Sequence, residues 1–271
     1  MRLSDILEKV PSYYLKAALL KVGYARNKKN FKSFQTIDKN YIYEVDGYFV
    51  PSTSFGWYVG IDTIKADAYA LPLFNYTPKQ EDVIIDIGAG LGEESLALSQ
   101  MVNHGQIYAI EANVKIFQVL SKVLELNKIA NVIPFNLAIA ENNGEVQLIE
   151  DDASFLSGSI GNKIKDKSQC LSVRGVRLDT FIEENNIHRI DLIKSNIEGA
   201  ERFVISSIGE KIQSVKNFAI ACHDFRWKAE QNEFFKTKEL VTTFLKDNGY
   251  KVCHQNTGRE FYDDWVYGTR L

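Results

Sequence analysis

Cysteine is scarce in this chain, and its three copies lie far apart. Cys170, Cys222 and Cys253 occur in none of the paired spacings that bind zinc, and they are too few for a disulfide framework. Unpaired thiols are typical of proteins kept in the reducing cytosol. The sequence therefore predicts a cytoplasmic protein.

The sequence also lacks a long apolar run and an excess of basic residues. Its most apolar N-terminal stretch, residues 13–24, is interrupted by Lys16 and Lys21 and is too short to span a bilayer, so no membrane span is predicted. Lysines and arginines number 32, against 35 aspartates and glutamates. The chain therefore has no excess of positive charge for binding DNA or RNA, and no nucleic-acid partner is expected.

No repeat, low-complexity tract or proline-rich linker divides the chain. Two regions nevertheless differ in pattern. Residues 1–80 predict an N-terminal α+β extension, with a helix, a hairpin that turns at Asp46-Gly47 and a second helix leading toward Pro78. Residues 81–271 predict one α/β domain, in which short apolar strands alternate with helices.

This alternation predicts a doubly wound, Rossmann-like, mostly parallel sheet of seven strands. The run DVIIDI is almost wholly apolar, as expected of a strand covered on both faces. The last two strands, YKVCHQ and DWVYGTR, are joined by a polar connection and predict a C-terminal antiparallel hairpin. Asp179 is placed to cap the helix LDTFIEENN, and Gly249 to end the last helix.

The turn after DVIIDI is rich in glycine, which lets a ligand approach the backbone closely. It lies at the carboxyl end of the first parallel strand, where open α/β sheets bind ligands. A dinucleotide fingerprint would need glycine where Glu93 stands, and Glu93 and Glu94 would repel a pyrophosphate at this helix start. S-Adenosylmethionine has no phosphate, and its ammonium suits a carboxylate such as Asp86. It is therefore the predicted cofactor.

An acidic residue follows the glycines by about 20 positions, where it would accept hydrogen bonds from ribose hydroxyls. This residue is Glu111, at the end of the strand YAIEAN. The alternative is that Asp86 is an ordinary helix cap and Glu111 a solvated loop acid. The predicted cofactor-binding residues are Asp86, Gly88, Ala89, Gly90, Gly92, Glu94, Glu111, Ala112 and Asn136.

A second group of polar residues lies at the ends of the next two strands of the sheet. Lys194 is costly to bury without a partner, and Glu198 or Asp86 is placed to pair with it. Asn196 and Glu198 are expected to line the same crevice as the glycine turn. His223 is the candidate general base, because its ordinary pKa is near neutral. A structural Lys194–Glu198 ion pair and a core histidine are the alternatives.

Together these motifs resemble the FkbM-type family of S-adenosylmethionine-dependent methyltransferases, over about residues 66–223. The run VIIDIGAGLGEESLALS resembles the family's glycine motif. The run IDLIKSNIEGAE resembles its pattern Lys-x-Asp-x-Glu-Gly-x-Glu, matched by Lys194, Glu198, Gly199 and Glu201. The resemblance implies a class I methyltransferase fold and a small-molecule acceptor, often a sugar of a surface polysaccharide or a secondary metabolite.

Two departures from the family's pattern bear on mechanism. Asn196 and Ala221 each stand where the family has a carboxylate, and an amide is a weak ligand for a divalent cation and no base. No metal site is predicted, and the base assignment shifts toward His223. The predicted reaction is O-methylation of a hydroxyl, with Lys194, Asn196 and Glu198 shaping the junction between acceptor and cofactor.

The remaining expectations concern the acceptor side and rival functions. The loop at residues 151–163 is expected to close over the site, with a plain surface loop as its alternative. A non-catalytic cofactor- or partner-binding module, a nicotinamide-dependent dehydrogenase and a protein methyltransferase are the rival functions. Aromatic residues of the extension predict a lid or acceptor pocket, or else an ordinary core or homodimer interface: Tyr43, Phe49, Phe55, Trp57 and Tyr58.

Overall fold

The computed structural model describes residues 12–56, 59–150, 158–160 and 170–270. Its first part is a helix, a three-stranded antiparallel sheet and a second helix. The predicted hairpin turns at Asp46 and Gly47, whose φ angles of 53° and 84° suit a tight two-residue turn. These elements are α1 (Tyr13–Arg26), β1 (Phe31–Ile37), β2 (Asn40–Val45), β3 (Tyr48–Ser52) and α2 (Ile61–Ala70).

A seven-stranded sheet forms the centre of the rest of the chain. Its strands are β4 (Val83–Ile87), β5 (Gln106–Ile110), β6 (Val132–Phe135), β11 (Leu192–Ser195), β12 (Asn217–Ala221), β13 (Lys251–His254) and β14 (Trp265–Thr269). They stand in the order β6-β5-β4-β11-β12-β14-β13, and β14 runs antiparallel to both of its neighbours. The predicted doubly wound sheet with a C-terminal antiparallel hairpin is confirmed.

A smaller sheet stands beside the large one, and sequence analysis did not separate the two. It consists of β7 (Ala138–Ile139), β8 (Gly144–Glu150), β9 (Gly158–Ile160) and β10 (Cys170–Val176), in the order β7-β10-β8-β9. The segment GEVQLIE, which is apolar at alternate positions, is a strand of this second sheet. Of the loop predicted at residues 151–163, only residues 158–160 are described, so its closing role lies outside the described residues.

Helices cover both faces of the large sheet. They are α3 (Glu93–Met101), α4 (Val114–Leu126), α5 (Leu178–Glu184), α6 (Glu201–Ser207) and α8 (Lys238–Asp247), whereas two further helices, α7 (Asp224–Glu230) and α9 (Glu260–Asp263), have no buried residue. Gly249, with a φ of +80°, follows α8 and ends it as predicted. Asp179 was wrongly assigned as a helix cap: Arg177 holds that position, and the Asp179 carboxylate binds the Arg177 guanidinium within the first turn.

Alternating side chains of the strands divide the interior into two cores. Ile84 belongs to the first core, with α3, α4 and the N-terminal sheet, whereas Ile85 belongs to the second, with α5, α6 and α8. Tyr43 and Phe55 have no exposed surface and lie in the first core. For these two aromatics, the ordinary-core alternative is the right one. Trp57 and Tyr58 lie outside the described residues.

Candidate active site

The glycine turn connects β4 to α3 and packs directly against the end of β11. A Cβ atom on Gly88 would lie 2.1 Å from the Asn196 carbonyl oxygen, so only glycine lets the two strand ends approach. Gly92 has a φ of +95° and places the first turn of α3 at Glu93 and Glu94. Close packing at Gly88 and the positive φ angle at Gly92 therefore require glycine at these two positions.

Lys194 lies beneath this turn, buried in a cluster of opposite charge. In the strand register it pairs with Asp86, and its Nζ is 2.9 Å from Asp86 Oδ1 and 2.7 Å from Glu94 Oε2. On the adjacent strands, Ala109 lies opposite Asp86 and Ala219 lies opposite Lys194. These small side chains leave room for the charged groups. Nζ also donates to the Gly88 carbonyl, at 2.9 Å. Lys194 thus ties β4, β11 and α3 together.

The electrostatics of this cluster favour the charged lysine. Burial alone lowers the pKa of Lys194, but Asp86 and Glu94 outweigh it and raise that pKa above its ordinary range. Asp86 is fully buried and also accepts from the Ser95 hydroxyl, at 2.7 Å, so it is neither a helix cap nor open to solvent. Of the two partners predicted for Lys194, Asp86 is right and Glu198 is wrong.

A cleft opens at the carboxyl ends of β4, β5 and β11. Glu111 lies on one wall, where it accepts from the backbone N–H groups of Gly90, at 3.0 Å, and Asn113, at 2.8 Å. Asn136 donates to the carbonyls of Glu111 and Ala112 and so holds this wall in place. The lining residues are Ile87, Gly88, Ile110, Glu111, Ala112, Asn113, Leu137, Ala138, Ile139, Leu148, Asn196, Ile197, Glu198 and Ala200.

The donors and acceptors of the cleft fit S-adenosylmethionine. Burial raises the pKa of Glu111 to about 7, although its two backbone donors act to lower it. Its carboxyl group is suited to hydrogen bonds with ribose hydroxyls. Aliphatic side chains such as Leu137, Ile139 and Leu148 offer an apolar slot for a purine. Burial also raises the pKa of Glu93 to about 7. Lys194, which contacts Glu94 at the helix start, is also held by Asp86, so its charge is already balanced and the site does not suit a pyrophosphate.

His223 follows β12 and is 3% exposed. Its Nδ1 lies 2.9 Å from Oε1 of Glu201, the fully buried first residue of α6. The other oxygen of Glu201 accepts from the Thr237 hydroxyl, at 3.1 Å. Burial alone lowers the pKa of His223, but Glu201 and then Glu198 outweigh it, and the net pKa is raised. With Nδ1–H donated to Glu201, the basic nitrogen of the neutral ring is Nε2.

Glu198 lies between His223 and the cleft. Its Oε1 is 3.5 Å from Nε2 of His223, and its Oε2 accepts from Nη1 of Arg226, at 2.8 Å. Glu198 has a φ of +54°, and Gly199 follows at +94°, so the chain makes a left-handed turn at this point. Glu201 supports the turn by accepting from the Gly199 N–H, at 3.2 Å. A left-handed glutamate is strained, and such strain is typical of functional sites.

The strain at Glu198 can be measured with a pair of variants. Glu198→Ala and Glu198→Gly both remove the carboxylate, but only glycine adopts a φ of +54° without a Cβ penalty. We expect the glycine variant to be the more stable of the two by about 1 kcal/mol, in urea unfolding. Equal stabilities would show that the turn relaxes and that Glu198 is not strained.

The structure therefore brings five of the predicted residues to one cleft: Gly88, Glu111, Ala112, Asn196 and Glu198. Asp86 and Lys194 lie beneath it, and His223 adjoins it through Glu198. No role for Glu201 or Arg226 was predicted from the sequence. Glu201 was the last residue of a matched motif, which was a signal, whereas nothing in the pattern pointed to Arg226.

Two features are absent from the described ranges of the chain. No helix there is long and apolar enough to cross a membrane. No group of three or more His, Cys, Asp or Glu side chains in the same ranges is arranged to hold a metal ion.

Comparison with known proteins gives relatives of low identity. The hexuronic acid methyltransferase AglP of Haloferax volcanii is 22% identical over 211 residues, which cover 76% of this chain and 84% of the relative. A tRNA(Phe) (4-demethylwyosine(37)-C(7)) aminocarboxypropyltransferase of Methanocaldococcus jannaschii is 26% identical over 162 residues, 51% of this chain and 64% of the relative.

Solved structures resemble the chain only distantly. An FkbM methyltransferase of Methylobacillus flagellatus has a TM-score of 0.47 and 16% identity, and the match covers 70% of this chain but only 44% of that one. Fibrillarin of Aeropyrum pernix, solved with bound S-adenosylmethionine, has a TM-score of 0.45 and 14% identity, with 89% and 99% covered.

A family profile gives the assignment. The profile described as the Methyltransferase FkbM domain matches residues 86–252, more than half of the chain. The match begins at Asp86 and includes Glu111, Lys194, Glu198, Glu201 and His223. The resemblance found in the sequence is thereby confirmed. The chain belongs to the FkbM family and is an S-adenosylmethionine-dependent methyltransferase.

Proposed function

We propose that this enzyme methylates a hydroxyl group of a sugar, and that the sugar is an acidic one such as a hexuronic acid. The observation that carries the O-methylation proposal is His223, whose Nδ1 is held by Glu201 at 2.9 Å while Nε2 faces the cleft side at Glu198. The name of the relative from Haloferax volcanii supports the class of sugar.

In the proposed mechanism, the protein aligns the two reactants and accepts one proton. S-Adenosylmethionine, when bound, supplies a methyl group on a positively charged sulfur. That methyl group would go to the acceptor hydroxyl, and Nε2 of His223 would accept the proton of this hydroxyl. Glu201 then stabilises the resulting imidazolium. Glu198 and Asn196 border the cleft at this junction, and Lys194 holds the glycine turn from below.

The cofactor-binding residues follow from the walls of the cleft. We propose that Glu111 binds the ribose hydroxyls and that the turn from Gly88 to Gly92 and the start of α3 receive the methionine part, whose carboxylate suits free helix N–H groups. Ala89, Gly90 and Glu94 shape this turn, and Ala112 and Asn136 the opposite wall. Asp86 acts through Lys194 and Ser95, since its carboxylate is buried.

Glu111→Gln tests the ribose assignment. The amide keeps the size of the side chain but cannot accept from two hydroxyls and two backbone donors, so affinity for S-adenosylhomocysteine should fall about 10- to 100-fold. Isothermal titration calorimetry measures the change, and Glu125→Gln on the exposed side of α4 is the matched control. Unchanged affinity in Glu111→Gln would contradict the assignment.

The N-terminal extension has a supporting role in this proposal. Tyr43 and Phe55 are buried in the core shared with α3 and α4, and Asn127 at the end of α4 exchanges two hydrogen bonds with the backbone of Phe49. We propose that residues 1–80 brace the catalytic domain, residues 81–271, and leave acceptor binding to that domain.

A turnover assay tests the function as a whole. The enzyme is incubated with S-adenosylmethionine and methyl glycosides of hexuronic acids or neutral hexoses, and S-adenosylhomocysteine and the methylated sugar are quantified by mass spectrometry. Methylated uronate is the expected product. Cofactor binding without product on any sugar would favour the non-catalytic alternative or a protein acceptor, and binding of NAD in its place would overturn the cofactor assignment.

A further inference from the structure

A line of aromatic rings leads from His223 to the protein surface. The ring of Phe225 lies 5.7 Å from that of His223, Phe261 lies 6.5 Å from Phe225, and Tyr262 lies 6.0 Å from Phe261, all between centroids. Phe261 is 51% exposed. We call Phe225, Phe261 and Tyr262 the aromatic ridge.

Topology explains why the ridge stands beside the candidate base. Because β14 is antiparallel, α9, which precedes it, lies at the edge of the sheet where β12 ends. The register pairs Ala221 of β12 with Trp265 of β14, so the chain around His223 and the chain of α9 are neighbours. Asp264 joins them, since it accepts from the backbone N–H of Phe225 at 3.0 Å.

A second contact holds α9 against α7. Nζ of Lys228 lies 2.6 Å from Oε1 of Glu260. Both side chains are more than half exposed, so this pair adds little stability. The ridge is thus positioned by backbone and ion-pair contacts on either side of Phe261, whose own ring contributes little to the core.

The chemistry of the ridge suits one face of a sugar. An exposed ring offers a flat apolar surface, which matches the face of a pyranose that carries only C–H groups. Arg259 is exposed and its guanidinium lies 5.0 Å from the centre of the Tyr262 ring. A planar guanidinium binds carboxylates with two parallel hydrogen bonds. An apolar surface for stacking therefore lies next to a side chain that binds carboxylates.

We infer that the aromatic ridge and Arg259 form the acceptor subsite, where Phe261 stacks on a pyranose ring and Arg259 binds its carboxylate. This inference rests on the proposed function and adds to it the place where the sugar binds. It also locates the acceptor pocket in the C-terminal hairpin, outside the N-terminal extension.

Steady-state kinetics with methyl glucuronide and methyl glucoside tests the subsite. In Phe261→Ala, KM for the glucuronide should rise about tenfold while kcat and the affinity for S-adenosylhomocysteine stay unchanged. Phe261→Trp should restore KM. Arg259→Gln should raise KM for the glucuronide but leave that for the glucoside unchanged. Phe74→Ala is the matched control, because Phe74 is 50% exposed, much like Phe261, and its ring packs on Tyr267 of β14.

The outcomes separate this inference from the proposed function. If the enzyme methylates sugars and Phe261→Ala behaves like Phe74→Ala, the subsite is wrong and the function stands. If no sugar is methylated, calorimetry of the S-adenosylhomocysteine complex with methyl glucuronide decides: binding that Phe261→Ala abolishes supports the subsite, and no binding overturns it. A change of oligomeric state in Phe261→Ala, seen by sedimentation, would make the ridge a contact between copies and overturn it too.

Discussion

Replacing Lys194 with methionine is expected to lower the free energy of unfolding by about 3–5 kcal/mol, the cost of leaving buried charges without their partner. Lys194 is 1% exposed in its side chain and Asp86 has no exposed surface. Without the lysine, Asp86 and Glu94 would face each other across the space it filled, and the Gly88 carbonyl would lose its donor. Urea unfolding measures the loss.

Lys216→Met is the matched control for this prediction. Its Nζ lies 2.7 Å from Asp191, the same distance as Lys194 from Glu94, but its side chain is 57% exposed. Asp191 also keeps Arg189, at 2.8 Å, when the lysine is lost. A change within about 1 kcal/mol is expected. Similar losses in the two variants would contradict the view that burial makes the Lys194 cluster essential.

The pH dependence gives a second check on the same cluster. Protonation of carboxyls relieves the repulsion that Lys194→Met creates, so the difference between variant and natural protein should shrink as the pH falls. A difference that stays constant with pH would assign the loss to packing of the lysine stem and not to charge.

His223→Gln is expected to reduce kcat by about 10²- to 10⁴-fold, the usual contribution of a general base. Glutamine keeps an N–H donor for the buried Glu201 but has no basic nitrogen, so the fold and the affinity for S-adenosylhomocysteine should persist. His254→Gln is the control, because His254 also ends a strand and its Nδ1 lies 3.4 Å from the Trp265 carbonyl oxygen. If His223→Gln retained its activity, His223 would not be the general base.

The pH profile identifies the base more directly. Glu201 and Glu198 favour the imidazolium and raise the pKa of His223 above its ordinary value of about 6.5. A base works when it is unprotonated, so kcat/KM should rise with pH through an inflection above that value. Glu201→Gln removes a charge that stabilises the imidazolium, and the inflection should move down. An inflection that does not move would show that Glu201 does not affect the pKa of the titrating group.

Much of the architecture followed from local pattern. Apolar runs of strand length alternate with helical periodicity, and this predicted the parallel sheet and its antiparallel hairpin before any contact was known. The glycine turn and Glu111 lie at the carboxyl ends of the first two parallel strands, as the pattern predicted, because apolar runs mark where those strands end.

Pairings across the sheet were harder to predict. Glu198 and Asp86 were the two predicted partners of Lys194, and the structure pairs the lysine with Asp86. The left-handed turn at Glu198 directs that carboxylate toward Arg226 and His223, and Glu94 takes the place beside the lysine. A single positive φ angle at a non-glycine residue has no signature in the sequence.

By itself, then, the sequence determined the alternation of strands and helices in residues 81–271, the glycine turn after the first parallel strand and the family to which the protein belongs. These properties depend on burial periodicity and on short motifs, which neighbouring residues encode. Only the tertiary structure decided that Glu201 holds His223 and that Phe225 contacts Phe261. Both contacts join segments that are distant in sequence, and strand order and loop direction bring them together.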